Sequence, residues 1–178
     1  MSTLSVNTIT AETGNTVSLA SGKTLNASQG FTPPAGHVIQ TVTTGTIARS
    51  TISASAWTNT TYTLSITPTS TSSKIFFHWN DHVRVQGTTS EIRSGVRLKR
   101  TIGSTDTYVW NAQGSTETFQ VRNATNEHDT TGYVQVLDSP NTTSAVTYTI
   151  QAYKLTGTNI YLFESAYGGN IVLQEISG

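Results

Sequence analysis

The sequence predicts an all-β fold, and three observations carry that prediction. Threonine makes up roughly a fifth of the chain, and β-branched residues favour the pleated, half-buried surface of strands. No stretch repeats its apolar residues every 3.6 positions, as an amphipathic helix would. The run Lys74–Gln86, KIFFHWNDHVRVQ, instead alternates with a period of two. Ile75, Phe77, Trp79, Asp81, Val83 and Val85 share one face, and Phe76, His78, Asn80, His82, Arg84 and Gln86 share the other. One face is apolar except for Asp81, so this strand lies on a core and the remaining strands are expected to pack around it.

The elements follow in order. Residues 1–36 form an appendage of short strand-like pieces carrying Leu4, Val6, Ile9, Val17, Leu19 and Leu25 between turn-prone Thr13-Gly14-Asn15 and Ser21-Gly22-Lys23. So few apolar side chains cannot offset the ordering entropy of the segment, so it needs identical copies or a larger body beside it. Pro33 and Pro34 enforce an extended connector, with His37 as a linker residue, and residues 37–178 form the main domain. Further strands are expected at Val38–Val42, Tyr62–Ile66, Ile92–Arg100, Thr107–Trp110, Thr118–Val121, Tyr133–Leu137, Ala145–Tyr153, Asn159–Phe163 and Ile171–Ile176. The last has apolar residues on both faces and is expected to be central in its sheet. Eight to ten short strands, separated by turn chemistry and without helical spacers, predict an antiparallel sandwich or jelly roll.

Composition excludes several function classes. The 178 residues hold 10 basic and 10 acidic side chains, so there is no basic footprint for nucleic acid. With no cysteine, disulfides and thiol chemistry are out. Residues 1–10 have neither the basic nor the apolar region of a secretory signal, and no apolar run approaches the ~20 residues that span a membrane.

The opening LSVNTITAETGNTVSLASGKTLNASQGFTPPAGHVIQ resembles the amino-terminal segment of bacteriophage tail-fibre proteins, marine phages among them. The pieces TPTSTSSKIFF, LDSPNTTSAVTYTIQAYKL and IVLQEISG are similar to the carboxy-terminal domain of the same proteins. The resemblance implies a homotrimeric virion protein whose head is similar to the jelly roll of tumour necrosis factor-like domains. Residues 1–36 would then form the trimer interface and attach to other virion proteins of the tail, baseplate or capsid. The head would bind a host-surface glycan or protein; the alternative is a capsid decoration, cement or head-fibre trimer with a mechanical role.

The candidate chemistry is that of binding. His78 and His82 on one strand face are about 13 Å apart at ~3.3 Å per residue, too far to hold one ion together; only three copies about an axis could do so, and no metal or cofactor is expected. Asn126-Glu127-His128-Asp129 lacks the spacing of a calcium loop and is read as an exposed polar loop. No Gly-x-Ser-x-Gly elbow or assured carboxylate pair is present, so no enzyme is expected. Asp81, among apolar neighbours, is expected to hold a hydrogen bond or an ion pair with Arg84, Arg93 or Arg97. Arg93, Arg97 and Lys99 share a face and are expected to be balanced by Glu91 and Asp106. The receptor site is placed at Tyr167 and Asn170 in Tyr-Gly-Gly-Asn, and at Trp110 and Asn111 in Trp-Asn-Ala-Gln-Gly. An aromatic ring beside an amide suits a sugar face and its hydroxyls.

Overall fold

The structure is a computed structural model that describes residues 33–88, 91–111, 118–122, 126–162 and 169–178, together with Ser21. Leu4, Val6, Ile9, Val17, Leu19 and Leu25 lie outside the described residues. Eleven strands are present among the described residues, and no helix: β1 (Val38–Thr43), β2 (Ser50–Ile52), β3 (Thr58–Ile66), β4 (Lys74–Gly87), β5 (Glu91–Ile102), β6 (Thr105–Trp110), β7 (Phe119–Arg122), β8 (Asn126–Asp138), β9 (Val146–Thr156), β10 (Asn159–Leu162) and β11 (Asn170–Ile176). All pairings are antiparallel.

Strand β4 is the axis of the first sheet. Along one flank it pairs with β8 from Ile75↔Asp138 to Gly87↔Asn126. Its other flank is shared: β11 pairs with Lys74–Asn80 and β10 with Val83–Gln86. Outside these lie β1 on β11 and β2 on β10. The second sheet runs β3-β9-β5, with β6 and β7 paired to opposite ends of β5. The chain crosses between sheets from β3 to β4 to β5, and again from β7 to β8 to β9 to β10. This connectivity packs two antiparallel sheets face to face as a sandwich.

The inward face of β4 meets that of β9. Trp79, Phe77 and Ile75 are fully buried with Tyr62, Tyr148, Leu98, Ile150, Ile171 and Leu173. Phe77 and Tyr148 place their ring centroids 5.8 Å apart. Each large apolar side chain so buried contributes about 1.5–3 kcal/mol. Central placement of β11 between β1 and β4 explains why both its faces are apolar. At one end of the core Asp138 of β8 accepts from Arg100 Nη1 at 2.8 and 2.9 Å, and from the Tyr148 hydroxyl at 2.7 Å. Arg100 and Tyr148 belong to the second sheet, so this polar bridge ties the two sheets together.

Two sequence expectations need correction. Residues 126–129 are not a loop but the first turn-free stretch of β8, which is longer than the expected Tyr133–Leu137. The reason is the length of β4: a 14-residue strand presents backbone hydrogen-bonding groups along its whole flank, and β8 satisfies them. The short β2 was not expected, because three residues carry no visible periodicity. Within β8, Gly132 looks like a turn residue but is strand. A Cβ there would lie 2.7 Å from both Trp79 Cη2 and Val83 Cγ2. At the connector, Pro33–Gly36 belongs to the same compact unit as the strands. Gly36 N–H donates to Ser177 O at 2.7 Å and Ser177 N–H to His37 O at 2.8 Å.

Because the Trp79 ring occupies the space above Gly132, Gly132→Ala is expected to destabilise the sandwich by about 1–3 kcal/mol. Urea denaturation followed by tryptophan fluorescence measures this; an unchanged midpoint would show that Trp79 is not closely packed there.

Candidate functional site

The outward face of the first sheet is built by the register of three strands. Asn170 of β11 pairs with Asn80 of β4, and Asn80 pairs with Tyr133 of β8. All three side chains are exposed, and Tyr133 most of all at 70%. At ~4.8 Å between strands the row spans about 10 Å. At its β8 end Tyr133 joins Trp110, Phe119, Thr118, Thr130 and Thr131 in lining a cleft of about 250 Å³. This cleft opens where the outer edge of β8, unpaired among the described residues, faces the β6 and β7 edge of the second sheet.

Two of the residues expected from sequence therefore meet through a third and a fourth. Trp110 lines the cleft, Asn170 ends the row, and Tyr133 and Asn80 connect them. Asn111 serves the backbone instead. With φ of 53° it turns the chain after β6, and its Nδ2 donates to Val96 O at 2.8 Å. Tyr167 lies outside the described residues. Asn80 was missed as a site residue, although the alternation of β4 put it on the polar face; what could not be read was that its neighbour across the sheet is Tyr133.

Below this row Gln135 Nε2 approaches His78 Nδ1 at 3.0 Å. Above it, Arg84 Nε donates to Asp129 Oδ1 at 2.6 Å, Arg84 Nη1 lies 3.0 Å from Glu127, and His82 Nε2 lies 3.4 Å from Asp129. Arg84 and its neighbours hold Asp129 below the usual carboxylate range, chiefly by the Arg84 hydrogen bond. Among the described residues no group of three or more His, Asp or Glu side chains is placed to hold a metal ion.

The basic residues of β5 are engaged. Arg93 meets Glu91 at 2.6 Å, and Lys99 meets Asp106 at 3.0 Å, as the charge balance predicts. Arg97 takes a different role. Its guanidinium lies 3.8 Å from the Tyr108 ring centroid and 4.4 Å from that of Trp57, and Nε donates to Gln151 Oε1 at 2.7 Å. Stacked between rings and nearly buried, it fastens the second sheet's outer face and does not present charge to a ligand.

Asp81 holds the expected hydrogen bond but not the expected ion pair. None of Arg84, Arg93 and Arg97 pairs with it: the first points from the opposite face of β4, and the others belong to the second sheet's outer face. Asp81 is 4% exposed, and its Oδ1 accepts the His82 N–H at 2.6 Å. It faces the Tyr62 phenol from β3. Gly132 stands opposite it on β8, and a Cβ on Gly169 would fall 0.8 Å from Asp81 Oδ2, so only glycine fits there. Burial raises the Asp81 carboxyl to about 6, while the His82 N–H and Tyr62 pull it down without cancelling that rise. Glu175 behaves oppositely although fully buried. Burial would raise it, but hydrogen bonds outweigh burial and hold it below its usual range. Gln40 Nε2 donates at 2.6 Å, and the Thr69 N–H and hydroxyl each donate at 2.7 Å.

No protein-family model matches the chain, and no curated protein matches it. Among solved structures it is similar to Eiger TNF from S. frugiperda, at 9% identity and a TM-score of 0.39 over 77% of this chain and 92% of that one. A structure of the infectious bursal disease virus Gx strain is similar at 9% identity and a TM-score of 0.36, over 80% of this chain and 37% of that one. The CBM22-1 xylan-binding domain of Paenibacillus barcinonensis Xyn10C is similar at 10% identity and a TM-score of 0.35, over 81% and 97%. Scores at this level carry no functional argument, and the sandwich is established by the strand pairing itself.

A carboxyl whose folded value is raised stabilises the fold while protonated, fully below pH ~4, and that stability is lost as pH rises through about 6. Asp81→Asn is therefore expected to raise the melting temperature by several degrees at pH 7.5 and to leave it unchanged near pH 4. Equal melting temperatures for variant and parent at pH 7.5 would show that the buried carboxylate imposes no strain.

Proposed function

We propose that this chain is a virion surface protein, a non-catalytic homotrimeric head that attaches a phage particle to its host. One observation carries the attachment reading: the exposed row Asn170-Asn80-Tyr133 leads into a cleft walled by Trp110 and Phe119. Amides and aromatic rings presented together on rigid strands suit recognition of a surface glycan or protein. Support for the virion setting is the likeness of residues 4–40 and of the carboxy-terminal pieces to tail-fibre proteins. Residues 1–36 would grip other virion proteins. Support for the trimer is a set of apolar side chains on the first sheet's outer face, at the end away from the cleft: Leu137 and Val38 are 54% and 52% exposed, with Phe76 half-buried opposite Leu137 and Ile176 half-buried opposite Val38.

Purified protein added to host cells is expected to compete with virions for adsorption. Tyr133→Ala is expected to abolish that competition without lowering the melting temperature. Wild-type protein that binds particles and leaves adsorption unchanged would establish the decoration or cement role instead. Native mass spectrometry is expected to show three times the 19.1 kDa chain mass, and Leu137→Asp to shift the population to monomer. A wild-type monomer would remove the trimer from this reading.

A further inference from the structure

The cleft at Trp110 continues into a second one of about 150 Å³ lined by Gln120, Val121 and His128. The two share Thr118, Phe119 and Thr130, so they form one groove along the edge of β8. Together they reach the lower end of the ~300–1,000 Å³ range of small-ligand sites. Three aromatic rings, Trp110, Phe119 and Tyr133, line the first part; threonine hydroxyls rim both parts, and the Gln120 amide the second. Among the described residues neither the Thr130 nor the Thr131 hydroxyl is engaged in a hydrogen bond. Thr118 is engaged, donating to and accepting from the Val96 backbone. Along this groove β8 has one partner strand, β4, among the described residues, so its outer edge presents further backbone donors and acceptors.

The lining carries no carboxylate and no permanent cation among the described residues; His128 is its one titratable group besides the Tyr133 phenol. An anionic ligand would lose hydration here without gaining a counter-charge. The nearest carboxylate on β8, Asp129, already binds Arg84 and repels further negative charge.

We propose that this groove binds an uncharged oligosaccharide about two rings long, which deepens the attachment reading and rests on it. A first sugar lies with its C–H face against Trp110 and Tyr133, its hydroxyls meeting Thr130 and Thr131. A second extends past Phe119 toward Gln120 and His128. Specificity is for neutral over acidic sugars because the groove has hydrogen-bonding groups and rings but no countercharge.

The test exposes the full-length protein to a glycan array carrying cello-, chito- and malto-oligosaccharides beside oligogalacturonates and sialylated glycans, with titration calorimetry on the hits. At least one neutral tetrasaccharide is expected to bind and to perturb tryptophan fluorescence, with Trp110→Ala weakening it tenfold or more. Thr131→Arg, at an exposed position that does not touch the core, is expected to do the same by closing the cleft. Retention of acidic glycans alone, retention of none, or neutral binding that survives both substitutions overturns the proposal. Adsorption competition by the same preparation separates the two readings. Competition without neutral-glycan binding refutes the sugar site and keeps attachment; neutral-glycan binding lost on Thr131→Arg, but without competition, supports the sugar site and refutes attachment.

Discussion

The constraint on which this sandwich depends is that β4 is paired along both flanks over nearly its whole length. One flank takes a single 13-residue strand, and the other is filled by two short strands end to end. Every inward position of β4 from Ile75 to Val85 except Asp81, which falls in the gap between β11 and β10, is thereby flanked by paired strands on both sides, and those side chains have little freedom to shift. Gly132 lacks a side chain because Trp79 fills the space. Gly169 lacks one because Asp81 does. A register slip of one residue would carry Trp79 and Phe77 to solvent and bring Asn80 and His78 into the core. The sheet's register and the presented face are thus the same fact seen from two sides.

The buried carboxylates show how differently one fold treats one chemical group. Glu175 is surrounded by donors from Gln40 and Thr69, so its charge is satisfied despite full burial. Asp81 accepts the His82 N–H and faces the Tyr62 phenol across the sandwich, and the low-dielectric core favours its neutral form. The first secures the end of the sandwich through β1, β11 and the segment before β4. The second is strain held in place by tight packing, adjacent to Asn170 and so to the presented face.

Much of the fold was legible because alternation reports burial directly. The faces of Lys74–Gln86, the central character of Ile171–Ile176 and the all-strand character of the described residues follow from period-two patterning in a threonine-rich chain. Residues 126–129 were not legible as strand: they contain no apolar residue, and only pairing with the far end of β4 makes them extended. For the same reason the Asp81 environment was hidden. Its anomaly shows in the sequence, but its neighbours Gly132, Gly169 and Tyr62 are 51, 88 and 19 positions away. The site was half legible. Trp110 and Asn170 were visible as aromatic and amide at strand ends, whereas Asn80 and Tyr133 acquire meaning only from cross-strand register, which no single strand encodes.

The functional account joins a rigid sheet face to an uncharged aromatic groove, and its central claim is that this face is carried at the attachment end of a particle. The most direct measurement is electron microscopy of intact virions labelled with gold-tagged antibody against residues 37–178. The account predicts gold at the tail end. Gold distributed over the capsid would contradict it and make the chain a decoration protein, with the groove left without a role in host attachment.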